Sequence, residues 1–325
     1  QGLSYNTAVG YQALVGSATA SANTGMYNTA IGHQSMTVNT SGSYNSTLGV
    51  NTLLNNTIGQ YNVAIGYGAL FTNVAKNASV AIGYEAMRYA DNTVTSSTSG
   101  NIAIGYQALR GNTTASSNTG TNNVAIGYQV LYGNTTGSNS VLIGAFAGAG
   151  NTTGEYNVGI GANVLQTNVA KSKNVAIGYD AMSYANNSDS VGDTYNTALG
   201  ASALRGSSTP ENNTGVYNTS IGGNSGLSMT SGSNNALLGY YAGYSIITGS
   251  NNSLFGYYAG SNLTTGSNNI IIGASINADS ATGSYQLNIG NAIKGDLSTG
   301  DINIVGNLGI NGVPYTWPSV NGSGC

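Results

Sequence analysis

The chain has 325 residues, a formal net charge of -3 and only 5% charged residues, against roughly 25% in ordinary soluble domains. At 40% hydrophobic and nearly uncharged, it falls outside the disordered class, which is apolar-poor and strongly charged. The same balance excludes the basic footprint that nucleic-acid or anionic-membrane binding needs, and no apolar run approaches the ~18 residues of a membrane-spanning helix.

The chain opens at Gln1 already inside a repeat, which reads as a piece of something longer, and its single cysteine is Cys325. Neither an intrachain disulfide nor a cysteine-rich metal site is therefore expected. The pattern Tyr-Asn-x-Ala-Ile-Gly-Tyr-x-Ala-Leu recurs, with its glycine at 10, 32, 49, 66, 83, 105, 127, 144, 161, 178, 200, 222, 239, 256, 273 and 290. Successive spacings are 17 or 22 residues. The order of spacings itself repeats, since Gly10, Gly105 and Gly200 lie 95 residues apart and the run Asn73 to Lys76 returns as Asn168 to Lys171. A fixed period of this kind marks a solenoid. The expected fold is an all-β parallel β-solenoid, or β-roll, of sixteen 17- or 22-residue rungs over residues 1–290, followed by a C-terminal β connector segment over 291–325.

Each column of the repeat carries its own expectation. The glycine requires positive φ or close approach to a neighbour. The residue before it, from Val9, Ile31, Leu48 and Ile65 onward, is aliphatic in every rung but one, where it is Phe255. It is assigned to a continuous buried ladder. With Val, Ile or Thr two places earlier and alanine between, as in Val63-Ala64-Ile65, the segment reads as a strand buried on both faces. The alanine face is expected to need cover from other chains. Four residues before the glycine, thirteen of sixteen rungs carry asparagine, whose amides can bond along the axis and satisfy the turns. After the glycine, Tyr-x-Ala-Leu is expected to form a second short strand, with the tyrosine hydroxyl at the surface.

Rungs of this size stack at roughly 4.8 Å, so fifteen steps span about 72 Å, a rod rather than a globule. The five long rungs each insert a loop of small polar residues, and rungs of this kind are adjacent at 84–127 and 179–222. These loops are the candidate receptor-binding sites: Ser17 and Thr19, Asn92 and Thr95, Thr113 and Ser116, Asn187 and Ser190, Ser207 and Thr209. Small hydroxyl and amide groups on a rigid scaffold suit recognition of a glycan or protein receptor. The alternative reading is a loop that merely shields the rod.

Catalytic patterns are missing from the columns. The ten acidic residues, Asp91, Asp180, Asp189, Asp193, Asp279, Asp296, Asp301, Glu85, Glu155 and Glu211, form no recurrent column, so no carboxylate pair is expected. His33 has no second histidine or cysteine to join it, and Gly159-Ile160-Gly161 belongs to the repeat and opens no helix. Neither enzymatic activity nor a cofactor nor a metal is expected. An ice-binding solenoid would show a uniform threonine face, whereas the column three before the glycine mixes Thr7, Thr29, Ser46, Val63, Ile102 and Ala236.

Asn62-Val63-Ala64-Ile65-Gly66, Asn123-Val124-Ala125-Ile126-Gly127 and Asn174-Val175-Ala176-Ile177-Gly178 resemble the Asn-Ser-Val-Ala-Ile-Gly repeats in the heads of trimeric autotransporter adhesins. That resemblance covers roughly residues 5–290 and implies a left-handed parallel β-roll, a homotrimer and binding to host surfaces. Rungs here are longer than is usual in those heads, so no receptor surface transfers. The run from Gly300 to Pro318, including Gly306, Gly309, Gly312, Pro314 and Trp317, resembles the segment preceding the C-terminal intramolecular chaperone of phage tail-fibre proteins. Together the two imply an extracellular filament on a virion, or alternatively on a bacterial surface, which self-associates as a trimer and meets a host-cell glycan or protein receptor. No nucleic-acid partner and no membrane insertion are expected.

Overall fold

The computed structural model describes residues 5–186, 188, 190–305, 309–310 and 313–314. Asn187, Cys325 and part of the C-terminal connector lie outside the described residues. Strands of three residues precede each repeat glycine, from Thr7–Val9 and Thr29–Ile31 through Ile270–Ile272, and the four-residue Gln286–Ile289 precedes the last. Every one pairs in parallel with its successor, and without slippage: Val63 faces Val80, Ala64 faces Ala81 and Ile65 faces Ile82, as Val141, Leu142 and Ile143 face Val158, Gly159 and Ile160. The repeat is therefore a β-solenoid in which each rung forms one strand of a single sheet.

The repeat glycine is required twice over. At Gly105 φ is +134°, and a Cβ there would lie 2.2 Å from the carbonyl oxygen of Gly127 one rung on. Any side chain would have to push two rungs apart. The asparagine column behaves as a corner post: the Asn45 backbone N–H donates to Asn28 Oδ1 (3.0 Å), and Asn45 Nδ2 donates to the Gly59 carbonyl (2.9 Å). The same pair of bonds recurs at Asn62 and Asn252, so buried turn carbonyls are satisfied at each step.

Two expectations are corrected. The residue before the glycine is not the inner ladder; the middle residue of the strand is. Ala64, Ala81, Ala103 and Ala125 are fully buried, whereas Leu48 is 50% and Leu199 44% exposed, and Ile65 and Ile126 are half-buried. A strand turns alternate residues to opposite faces, so Val63 and Ile65 share the outer face and Ala64 alone points inward. Alanine suffices because the opposite wall supplies the bulk: Leu70, Leu109, Leu131 and Leu165, four residues after the glycine, are buried against it. The uncovered face of the chain is thus the Val/Ile face, and the alanine face needs no cover.

The second correction concerns Tyr-x-Ala-Leu, which is a run of turns and not a strand. Gln129 and Leu131 both have φ +50°, with Gln107 and Leu109 at +52° and +48° below them. Alternating left-handed residues coil the segment while aligning every second amide with the axis, as in Gln129 N–H to Tyr106 O (2.9 Å) and Leu131 N–H to Ala147 O (3.0 Å).

The interior conserves volume by trading side chains across the coil. Where the strand centre is Ala125, the facing residue is Leu131; where it is Leu142, Leu237 or Leu254, the facing residue is Gly148, Gly243 or Gly260. A Cβ at Gly148 would sit 2.4 Å from Leu142 Cδ2, and one at Gly260 2.9 Å from Leu254 Cδ1. Close packing leaves room for one of the two. After Gln286–Ile289 the sheet reverses: Ile293–Asp296 and Asp301–Ile304 add antiparallel.

Candidate functional site

The long rungs build two kinds of loop. In the first, starting at Gly16, Gly111 and Gly206, a short 3₁₀ turn (Ala20–Ala22, Ala115–Ser117, Pro210–Asn212) is closed by one asparagine. Asn118 Oδ1 accepts from the Asn112 N–H (3.0 Å) and its Nδ2 donates to the Asn112 carbonyl (2.7 Å). Asn23 clamps Ser17 and Asn213 clamps Ser207 in the same manner. Asn118 and Asn213 also donate to the carbonyls of Tyr89 and Tyr184 in the preceding rung, which ties neighbouring loops together. Sequence reasoning passed over these three asparagines, although their spacing of 95 residues was the available signal.

In the second kind, a two-residue strand is added beside the sheet: Ser97–Thr98 pairs with Lys76–Asn77, and Gly192–Asp193 with Lys171–Ser172. Lys76 reaches Asp91 (3.2 Å), the Thr95 carbonyl (2.8 Å) and Ser97 Oγ (3.0 Å). Lys171 donates to Ser190 O (2.6 Å) and Ser190 Oγ (3.0 Å).

These contacts sort the nominated residues. Ser17 and Ser207 spend their hydroxyls accepting from the N–H groups of Thr19 and Thr209 inside the loop, Thr95 and Ser190 serve the lysines, and Thr113 Oγ1 donates to Asn112 Oδ1 at 3.4 Å. The side chains of Thr19, Asn92, Ser116 and Thr209 are exposed at loop surfaces. Asn187 lies outside the described residues. The nominated residues do not converge on one pocket; they form separate crests on long rungs, paired where such rungs are adjacent.

Beside the first pair of crests lies a charged and aromatic cluster. Glu85 accepts from Gln107 (2.9 Å) and Arg110 (3.1 Å) and pairs with Arg88 (3.2 Å), while Arg110 lies 4.6 Å from the Tyr89 ring centre and Arg88 4.7 Å from that of Phe71. Burial pushes the Glu85 carboxyl upward, but the hydrogen bonds from Gln107 and Arg110 and the Arg88 charge outweigh it and hold it below its ordinary range. A carboxylate held in this way is a structural anion, not one poised to deliver a proton. In the second super-repeat the corresponding acid is Asp180, which binds Asn163 instead (3.0 Å), and Arg205 keeps only a 5.9 Å approach to the Tyr184 ring.

Tyrosine stacks run along the surface, two of them four rings long, with shorter ones at Tyr195 and Tyr217, Tyr240 and Tyr257, and Tyr241 and Tyr258. Rings of Tyr5, Tyr27, Tyr44 and Tyr61 stack at 5.0–5.1 Å, and those of Tyr67, Tyr84, Tyr106 and Tyr128 at 5.1–5.3 Å. Stacked faces cover one another, so the ladders present ring edges outward and offer no open platform for a sugar ring. Among the described residues no group of three His, Cys, Asp or Glu could hold a metal ion, and no helix is long and apolar enough to cross a membrane. Comparison of the chain with family models, with curated proteins and with solved structures returned no match.

Proposed function

We propose that the chain is one strand of a homotrimeric adhesive fibre, the shaft or head of a viral tail fibre, with a bacterial surface adhesin as the alternative bearer of the same architecture. One observation carries this reading. On the outer face of the parallel sheet the column before the repeat glycine is apolar in every rung, with Val9, Leu48, Ile160, Leu199 and Phe255 each at least 37% exposed in the single chain. The column beside it is apolar from Val63 to Val175. Fifteen steps of ~4.8 Å by a three-residue strand width of ~10 Å give a face of about 700 Å², close to one partner's share of a standard interface and polar only at Thr7, Thr29, Ser46, Thr197, Thr219 and Ser253. Three copies closing these faces on a common axis dispose of them without leaving an edge.

On such a rod the crests of the long rungs face outward and meet the receptor or glycan. Light scattering should give three times the 32.7 kDa chain mass; a stable monomer removes the trimer. Deleting Thr113 to Ser117 returns that rung to 17 residues, so trimer content should hold while binding to host cells falls. Undiminished binding by trimmed trimers would take recognition away from the loops and leave the fibre reading in place.

A further inference from the structure

A second amide ladder runs inside the coil, seven residues after the repeat glycine. Asn56 Nδ2 donates to Asn39 Oδ1 (2.8 Å) and Asn73 Nδ2 to Asn56 Oδ1 (3.0 Å); further along, Asn151 and Asn168 continue from Asn134 (2.8 and 3.2 Å). The two long rungs between interrupt it. Ala90 holds the position in one, and in the other Asn112 departs into its loop. Asn73 Oδ1, fully buried, therefore accepts nothing, and Asn134 Nδ2 donates only to the Gly137 carbonyl (2.9 Å), with its other hydrogen uncommitted. Both amides line one cavity of about 50 Å³, whose walls include the Lys76–Asp91 ion pair, Ser99 and Asn118.

We propose that this cavity is a binding site for a single file of three or four water molecules, which carries the ladder's polarity from the acceptor end at Asn73 to the donor end at Asn134. A length and a volume agree on the number. Two missing steps of ~4.8 Å added to one hydrogen bond leave a gap of ~12 Å, bridged by three or four waters at ~2.8 Å spacing. At ~10–15 Å³ of such space per water, the cavity holds about the same number. Its polar walls supply the two to four partners that each buried water needs. A saccharide does not fit, since small-molecule sites begin near ~300 Å³, and the Lys76–Asp91 pair leaves no net charge to draw an ion.

The duplicated cavity, about 40 Å³, supplies an internal control. Asn168 Oδ1 is again unpartnered, but the position opposite is Met229, a thioether in place of an amide. A file anchored at one end only should be shorter there.

A crystal structure near 1.5 Å tests this directly. Three or four solvent peaks linking Asn73 Oδ1 to Asn134 Nδ2 are expected, with fewer in the second cavity and no xenon site under gas pressure. A dry first cavity, a xenon atom in it, or density for an ion or organic molecule would overturn the proposal. Ala90→Asn restores one amide at the interrupted position and should remove at least one peak, and in solution should lower the count of long-lived waters seen by water-¹⁷O relaxation dispersion. An unchanged count in a folded Ala90→Asn protein would also overturn it.

Discussion

The trade between Leu142 and Gly148 invites a double-mutant cycle. Leu142→Ala removes a buried side chain, and the cavity and lost transfer should cost about 2–5 kcal/mol per chain. Gly148→Leu alone places a Cβ 2.4 Å from Leu142 Cδ2, an overpacking worth about 1–3 kcal/mol. Holding leucine rather than glycine at φ +56° adds about 1 kcal/mol. Independent effects would sum to at least ~4 kcal/mol and as much as ~9 kcal/mol. The double variant instead rebuilds the arrangement of Ala125 and Leu131 one rung below, so only the left-handed penalty and a small misfit should survive, about 1–2 kcal/mol. The expected coupling is at least ~2 kcal/mol in favour of the pair. Urea unfolding of the four proteins by circular dichroism, compared at a common slope, measures it. Losses that add within ~0.5 kcal/mol would refute the claim that the two positions share one volume.

Three further outcomes are expected. Gly127→Ala, at φ +133° with the Gly144 carbonyl 2.6 Å from the new Cβ, should abolish soluble folded protein, as expression and circular dichroism would show. Ala125→Asp and Ile126→Asp should part company: the first puts a charge in the closed interior and unfolds the chain, the second leaves the coil folded and abolishes the trimer by light scattering. Glu85 has a folded pKa below its ordinary value. Its contribution is therefore present above the unfolded-chain pKa and is lost as pH falls through the folded value, so melting temperature should drop in the acid range below ~4.3; in Glu85→Gln this component of the drop should be absent.

The columns most legible in the sequence were those with singular chemistry. Glycine at a positive φ and asparagine at a buried turn have few substitutes, so Gly105 and Asn45 announced their roles. Face assignment failed because Ala64 and Ile65 are both apolar, and hydrophobicity alone does not say which points inward. The deciding information lay in a correlation between distant columns, with glycine at 148, 243 and 260 wherever the strand centre is leucine. The turns after the repeat glycine were misread for another reason: leucine has no preference for the left-handed conformation that Leu131 adopts, and the hydrogen bonds to neighbouring rungs impose it. Among the nominated loop residues, composition singled out hydroxyls, but could not separate Ser17 and Ser207, consumed inside their loops, from the exposed Ser116 and Thr209.

Hydrogen bonds that run along the rod give a single coil a particular response to tension. Pulling on the axis loads all the bonds between two neighbouring rungs together, and since the junctions stand in series and carry the same tension, the weakest of them parts first. A freed rung of 17 residues then pays out ~58 Å of chain and one of 22 residues ~75 Å, at ~3.4 Å per residue, where each had occupied ~4.8 Å of rod. The coil lengthens in discrete steps of two sizes, more than tenfold in all. A tether of this kind absorbs work while its remaining rungs stay folded.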